Sequence, residues 1–330
     1  MLETPWHPAA PEDFVVDEIP LYAPSGEGGH TFVRIEKIDA TTEEVARALA
    51  RAAGVAPRDV GYAGRKDRRA VTRQWLSVPG LDPERALELD LPRARVLEAA
   101  RHPHKLRTGH LRANRFEIAL RGVDAAFAAR AQARLAHFET AGFPNRFGAQ
   151  RFGRDGDNAA RGAALLAGRE RVRDRRAARF LVSALQAAVF NEVLARRPLP
   201  LEALECGDVA QVEASGGLFV VEDLEREAPR AAAFEISATG PIFGTREIEP
   251  RGEPLRRERE AVAAHGIDPD VPLAPPPGVR VHGTRRALRA RPESASFARS
   301  DTDPDAWMLR VTLASGCYAT VLVEELLQGP

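Results

Sequence analysis

Residues 41–54, TTEEVARALARAAG, leave the chain little choice but a single helix. Thr41 and Glu44 stand three apart as a capping box, Val45, Ala48, Leu49 and Ala52 recur on one face, and Gly54 supplies the C-terminal stop. Such a stripe must pack on something, and the helix delivers the chain into its most unusual run, residues 61–77, GYAGRKDRRAVTRQWLS. There a single carboxylate, Asp67, stands among Arg65, Lys66, Arg68 and Arg69. Residues 61–69 read as a loop and 74–78 as the strand it enters. Loops held on rigid elements are where chemistry concentrates. Neighbouring cations favour an ionised carboxylate, which can then act as nucleophile or base. On their own the local residues favour a polar turn in which backbone amides satisfy Asp67 and the arginines are solvated.

Alternation predicts strands at 31–37, 74–78, 96–100 and 116–121, with a short helix at 83–89 and a longer one at 124–141. The N-terminal part is therefore mixed α and β. The stretch 144–162, PNRFGAQRFGRDGDNAARG, reads as a docking loop followed by a helix from Asp157 or Asn158. Its Phe147 and Phe152 among arginines suit base stacking on RNA, or a place in the core. Helices are expected at 175–197 and 253–265, short strands and turns at 207–223, and a tight loop at 236–244. The prolines of 268–278 argue for a linker. Strands are expected at 285–291 and 307–313, while 318–327 fits helix or strand. No internal repeat is visible.

With 330 residues, 44% hydrophobic and 28% charged, two soluble domains are expected. No apolar run approaches a bilayer span and the N-terminus lacks a signal peptide's pattern, so a cytoplasmic protein without membrane attachment is expected. Cys206 and Cys317 are too few for a disulfide framework or a cysteine zinc site. The net charge is zero, yet cations gather at 93–115, at Arg146, Arg151, Arg154 and Arg161, and at 280–291. Segregation of this kind offers a phosphate-binding face or an ordinary solvated surface. The setting of His102, His104 and His110 is so cationic that phosphate contacts are favoured over a metal. SGEGGH at 25–30 lacks the Gly-Lys-Ser/Thr of a P-loop.

Taken together, PEDFVVDEIPLY with SGEGGH, GYAGRKDRRAVTRQW, RHPHKLRTGHLRANRF, PNRFGAQRFGRDGDN, SALQAAVFNEVL, TGPIFG and LASGCYATVLVEELL resemble, in order, the TruD-type tRNA pseudouridine synthases. The resemblance spans nearly the whole chain and implies an α+β fold. A pseudouridine-synthase catalytic domain, mixed α/β around an antiparallel sheet, would comprise residues 1–139 and 292–330, and an inserted α/β TRUD domain would comprise 140–291. It also implies a cofactor-free enzyme that isomerises uridine to pseudouridine in transfer RNA, at uridine 13, after flipping the base from its stack.

The family's catalytic aspartate falls on Asp67 of GRKD, and its substrate-contacting positions fall on Phe14, Asn114, Phe116 and Tyr318. Gly29 stands where Glu is common, and Tyr318 where Phe is common. Lys66 is expected to keep Asp67 ionised or to bind phosphate, and Lys105, Arg107 and Arg151 are expected to contact RNA. No metal is called for, and a monomer is expected. A non-catalytic RNA-binding protein is the competing class. A glycoside hydrolase is another, for which Asp17 or Glu36 would have to supply a second acid.

Overall fold

The computed structural model describes residues 7–245, 248–273 and 275–328. They divide into two compact units, the first holding the chain up to Ala136, Pro292–Gly316 and the end from Leu326, the second holding His137–Arg291 and Cys317–Glu325.

The first unit begins with strands β1 (Phe14–Pro20) and β2 (His30–Ile38), and helix α1 (Thr42–Ala53) follows. Both halves of the capping box form between Thr41 and Glu44, and Gly54 closes α1 in the left-handed region at φ 72°. Then come β3 (Gly61–Tyr62), β4 (Val71–Pro79), α2 (Pro83–Leu87), β5 (Ala94–His102), β6 (Leu111–Arg121) and α3 (Ala125–Ala141). The second unit contributes β7 (Phe143–Pro144), α4 (Asn158–Leu166), α5 (Arg175–Ala195), β8 (Val209–Val212), β9 (Leu218–Val220), α6 (Leu224–Ala232), β10 (Ile236–Ile242), α7 (Gly252–Ala264), β11 (Thr284–Ala287) and β12 (Arg289–Ala290). The chain closes with β13 (Glu293–Arg299), β14 (Ala306–Ala314) and α8 (Ala319–Leu327).

One sheet organises the first unit, in the order β13-β14-β6-β1-β4-β2-β5, with β3 on β4. Its neighbours are antiparallel except β1 and β4, which run parallel. Side chains alternate faces along a strand, so this register sorts the residues. Phe14, Val16 and Glu18 share a face with Ile118, Phe116 and Asn114 opposite them, and with Thr72, Gln74, Ile35 and Lys37. The α1 stripe lies on that face, where Val45 and Leu49 join Val33, Ile35, Leu76 and Val78 in one buried cluster. The opposite face carries Asp17 paired with Arg34, and Glu36 paired with Arg73 and Arg95.

In the second unit, α5 packs Leu185 and Val189 into one cluster and Phe190 into a second, beside a sheet ordered β11-β10-β8-β9. By length and composition α5 is apolar enough to cross a membrane, but half of its apolar window is buried inside the protein. Three expectations change here. The run 236–244 is a strand rather than a tight loop; β8 pairs with it only as far as Ala238, so Pro241 lies where one neighbour alone, β11, requires hydrogen bonds. The proline-rich run 268–278 links no domains, because Ile267, Val279 and Val281 on either side of it are buried in the α5 cluster of the same unit; Ala274 lies outside the described residues. Residues 317–325, expected with the flanking domain, group with the second unit, where Arg146 binds Glu324 at 2.7 Å and Glu325 at 3.1 Å.

Gly61, at the start of β3, is where two backbones meet. A Cβ there would stand 2.2 Å from the Leu106 carbonyl oxygen and 2.5 Å from Ser77 Oγ. Gly61→Ala is therefore expected to cost about 1–3 kcal/mol by overpacking, read as a lower midpoint in urea denaturation; an unchanged midpoint would show that the Leu106 loop yields.

Candidate active site

Residues 63–70 form a bend that leaves β3, crosses the sheet face bearing Glu18 and Lys37, and enters β4. Three buried interactions pin it there. The Lys66 amide donates to Thr42 Oγ1 at 2.9 Å, and that hydroxyl donates onward to Gln74 Oε1 at 2.9 Å. The Lys66 ammonium binds Glu18 Oε2 at 2.5 Å, with both side chains almost wholly buried. The Lys37 ammonium, on a fully buried residue, donates to the Asp67 carbonyl oxygen at 2.7 Å.

Asp67 itself keeps solvent-accessible surface. Protein packed around it nevertheless removes enough water to push its carboxyl above the usual carboxylate range, against the pull of first Lys37 and then Lys66. Because the carboxyl still meets water, the shift sets where it titrates and adds little to stability. Burial also brings the Lys37 ammonium down to about 8, with the negative charge of Asp67 opposing the change.

This differs from the sequence reading in two respects. Two arginines of the loop turn away from Asp67: Arg65 binds Glu43 at 2.5 Å, and Arg68 reaches Glu44 and Asp39 at 3.5 Å, drawn by the acids of the α1 first turn and by Asp39 just before it. The support expected from Lys66 passes largely to Lys37, since the Lys66 charge is taken up by Glu18 and is too buried to meet a phosphate. Sequence reasoning missed Glu18 and Thr42. Both were detectable in principle: Glu18 alternates with Phe14 and Val16 on an otherwise apolar strand face, where a carboxylate needs a partner. The same alternation turns Asp17 and Glu36 to the opposite face, in ion pairs with arginine, so neither supplies a second acid beside Asp67.

Phe14, Phe116 and Asn114 lie on the Glu18 face. The two rings pack 5.8 Å apart and are 5% and 7% exposed, so they present edges and a floor rather than open stacking faces. Asn114 sits opposite Glu18, and among the described residues its buried Oδ1 meets no donor and Thr72 Oγ1 on the same face has no hydrogen-bond partner. Tyr318 belongs to the second unit, 6.0 Å from the Phe147 ring, where a Cβ on Gly148 would stand 3.1 Å from the tyrosine ring. Arg151, also in that unit, lies over Phe147.

The histidine-rich segment is mainly packing. Tyr22 stacks on His102 at 5.1 Å, its hydroxyl hydrogen-bonds His110 Nδ1 at 2.6 Å, and Phe32 lies 4.3 Å from His102. Burial holds His30 and His102 below the usual imidazole range, and nearby positive charge (Lys105 and His104 for His30, His104 and His30 for His102) lowers them further. Lys105 donates to the Arg58 carbonyl at 2.5 Å, while Arg107 is exposed. Among the described residues no group of three or more His, Cys, Asp or Glu converges as metal donors would.

A mixed sheet that holds one exposed aspartate on a pinned loop, with hydrogen-bonding groups beside it that find no partner among the described residues, is an arrangement suited to an enzyme. The family model described as tRNA pseudouridine synthase D (TruD) matches residues 9–172 and 170–326. Among curated proteins, the tRNA pseudouridine synthase D of Anaeromyxobacter sp. is 44% identical, over 97% of this chain and 91% of its own. That of Geobacter metallireducens is 39% identical, over 96% and 93%. A crystal structure from Methanosarcina mazei that carries the tRNA pseudouridine synthase D assignment superposes with a TM-score of 0.74 over 98% of this chain and 93% of its own, at 21% identity, which speaks for the fold. This chain belongs to the tRNA pseudouridine synthase D family.

Removing one partner of the buried Lys66–Glu18 pair leaves an uncompensated charge. Lys66→Met is therefore expected to lose about 3–5 kcal/mol of stability, and adding Glu18→Leu to recover much of it. A double-mutant cycle in urea reads this directly; additive losses would show that the two charges act independently.

Proposed function

We propose that this chain isomerises uridine to pseudouridine in transfer RNA, at uridine 13, and that Asp67 is its reacting carboxylate. Membership of the tRNA pseudouridine synthase D family supports the reaction. The observation that carries the residue assignment is that Asp67 stays accessible while its backbone is fixed by the buried Lys37.

The reaction exchanges the N1–C1′ bond of uridine for a C5–C1′ bond and moves the C5 proton away as N1 gains one. Atoms and electrons balance within the nucleotide, so the protein must position the base and supply one group that can attack or take a proton. A uridine in folded RNA reaches such a site by leaving its stack. Phe14 and Phe116 would then border the base, and Asn114 and Thr72 would offer it unfilled hydrogen-bonding groups. Asp67 acts in its ionised form whether it attacks C1′, adds to C6 or removes the C2′ proton.

Two titrations follow from the geometry. The raised Asp67 carboxyl must lose its proton, so activity falls as pH drops through a value above the ordinary carboxylate range. The Lys37 ammonium, at about 8, loses its charge as pH rises through that value, and its support of Asp67 goes with it. The expected kcat/KM profile is therefore a bell whose alkaline limb lies near 8, and Lys37→Met is expected to remove that limb while lowering kcat. An alkaline limb that persists in the variant would dissociate Lys37 from it.

Asp67→Asn is expected to abolish product while tRNA affinity stays within about threefold, since only charge is removed. Carbodiimide primer extension on transfer RNA before and after treatment reads the product and its position. Turnover by the asparagine variant near the wild-type rate would falsify the assignment. Binding by wild-type protein without any conversion would favour a non-catalytic RNA-binding role.

A further inference from the structure

Arginines in the second unit fall into two populations. Most are held internally: Arg197 by Asp208, Arg230 by Glu227, Arg257 by Glu205 and Arg285 by Glu258, at 2.5–2.8 Å. The segment 169–180 is different. Arg171, Arg173, Arg176 and Arg179 are exposed, and none meets a carboxylate among the described residues. The acids within the segment are already engaged, Glu170 by Arg161 at 2.9 Å and Asp174 as the N-cap of α5.

The position of these cations works against the fold. The first turn of α5 contains no acid and carries Arg175 and Arg176 at the positive end of the helix dipole. Each cation there costs about 0.3–1 kcal/mol where an acid would help. One turn on, Phe180 is 41% exposed on a helix whose other large apolar side chains are mostly buried. The Arg151 guanidinium lies 5.9 Å from the Phe180 ring, and its Nε finds no acceptor among the described residues. An aromatic face rimmed by uncompensated arginines matches a polyanion that also offers planar rings.

We propose that this face of the second unit is an RNA-docking surface, on which Arg171, Arg173, Arg176 and Arg179 hold phosphodiester groups and Phe180 stacks an unpaired base. The inference rests on the tRNA reaction proposed above and adds to it a contact surface outside the Asp67 site. A bound phosphate relieves both the mutual repulsion of the arginines and their conflict with the helix dipole.

The test uses the full-length protein and unmodified transfer RNA, with binding measured as a function of potassium chloride and conversion measured in parallel. The variant R173A/R176A/R179A is expected to bind at least about tenfold more weakly and to flatten the log–log salt dependence by about two. Its kcat at saturating RNA should be unchanged, and it should melt close to the wild-type temperature, because removing Arg176 relieves part of the dipole conflict while Arg175 remains. Phe180→Leu is expected to weaken binding about tenfold with the salt slope unchanged. If both variants bind like wild type while wild type converts uridine, the docking surface is wrong and the reaction stands. If wild type neither binds nor converts transfer RNA, the reaction itself is wrong and this inference falls with it. Unchanged RNA binding with lost binding to phosphatidylserine vesicles would assign the face to a membrane and likewise overturn it.

Discussion

Two buried ammonium groups hold the loop on which the site is built. Charges taken out of water are costly unless paired and hydrogen-bonded, and both lysines meet that condition only through the loop: Lys66 by its bond to Glu18, Lys37 by its bond to the Asp67 carbonyl. If the loop lifts, the Lys37 ammonium and the Glu18 carboxylate left on the sheet lose their compensation together. A segment without regular structure is thereby made as definite as the strands beneath it, while Asp67 as a residue remains exposed.

The sheet topology makes this arrangement possible. The one parallel contact, between β1 and β4, sets Val16 beside Thr72 and so brings Glu18 next to Gln74. The antiparallel contacts on either side add Asn114 from β6 and Lys37 from β2 to the same row. Residues distant in sequence become neighbours across strands, and alternation sends the charged ladder of Asp17, Arg34, Glu36 and Arg73 to the other face. Lysine is used only three times in the chain, and two of the three serve the loop, Lys37 from beneath it and Lys66 from within it. A compact ammonium whose pKa shifts readily on burial suits that place better than a guanidinium that stays charged.

Zero net charge conceals a similar division of labour. Of the basic stretches visible in the sequence, the one at 280–291 is largely structural: Arg285 closes on Glu258, and the buried Arg289 donates to Ser237 Oγ and to three carbonyls. Burial and the Phe147 and Phe190 rings surround Arg286, which donates to Asn145. In the stretch at 93–115, Arg93, Arg95 and Arg101 bind Asp39, Glu36 and Asp82. Counting cations along the chain therefore overstates the surface available to a polyanion.

Local patterns were legible wherever a short-range rule decides the outcome. The α1 capping box and Gly54 stop, the strand periodicity around 31–37 and 116–121, and the helix at 175–197 all follow from neighbours within a few residues. The misread segments were those where tertiary contacts outweigh local signals: Gly240 and Pro241 read as a turn but lie in a strand, and the prolines of 268–278 read as a linker but run beside a core. Family motifs in the sequence pointed to Asp67, Phe14, Asn114, Phe116 and Tyr318, and so to a chemistry. What the sequence determined by itself was most of the elements, wherever local rules decide, and the family motif in which Asp67 stands. Only the tertiary structure decided that Lys37 rather than the flanking arginines binds the backbone of Asp67 and is the first charge to act on its carboxyl, and that Glu18 absorbs the charge of Lys66. The reason is that electrostatic partners are chosen by distance in space, which strand order sets and residue order does not.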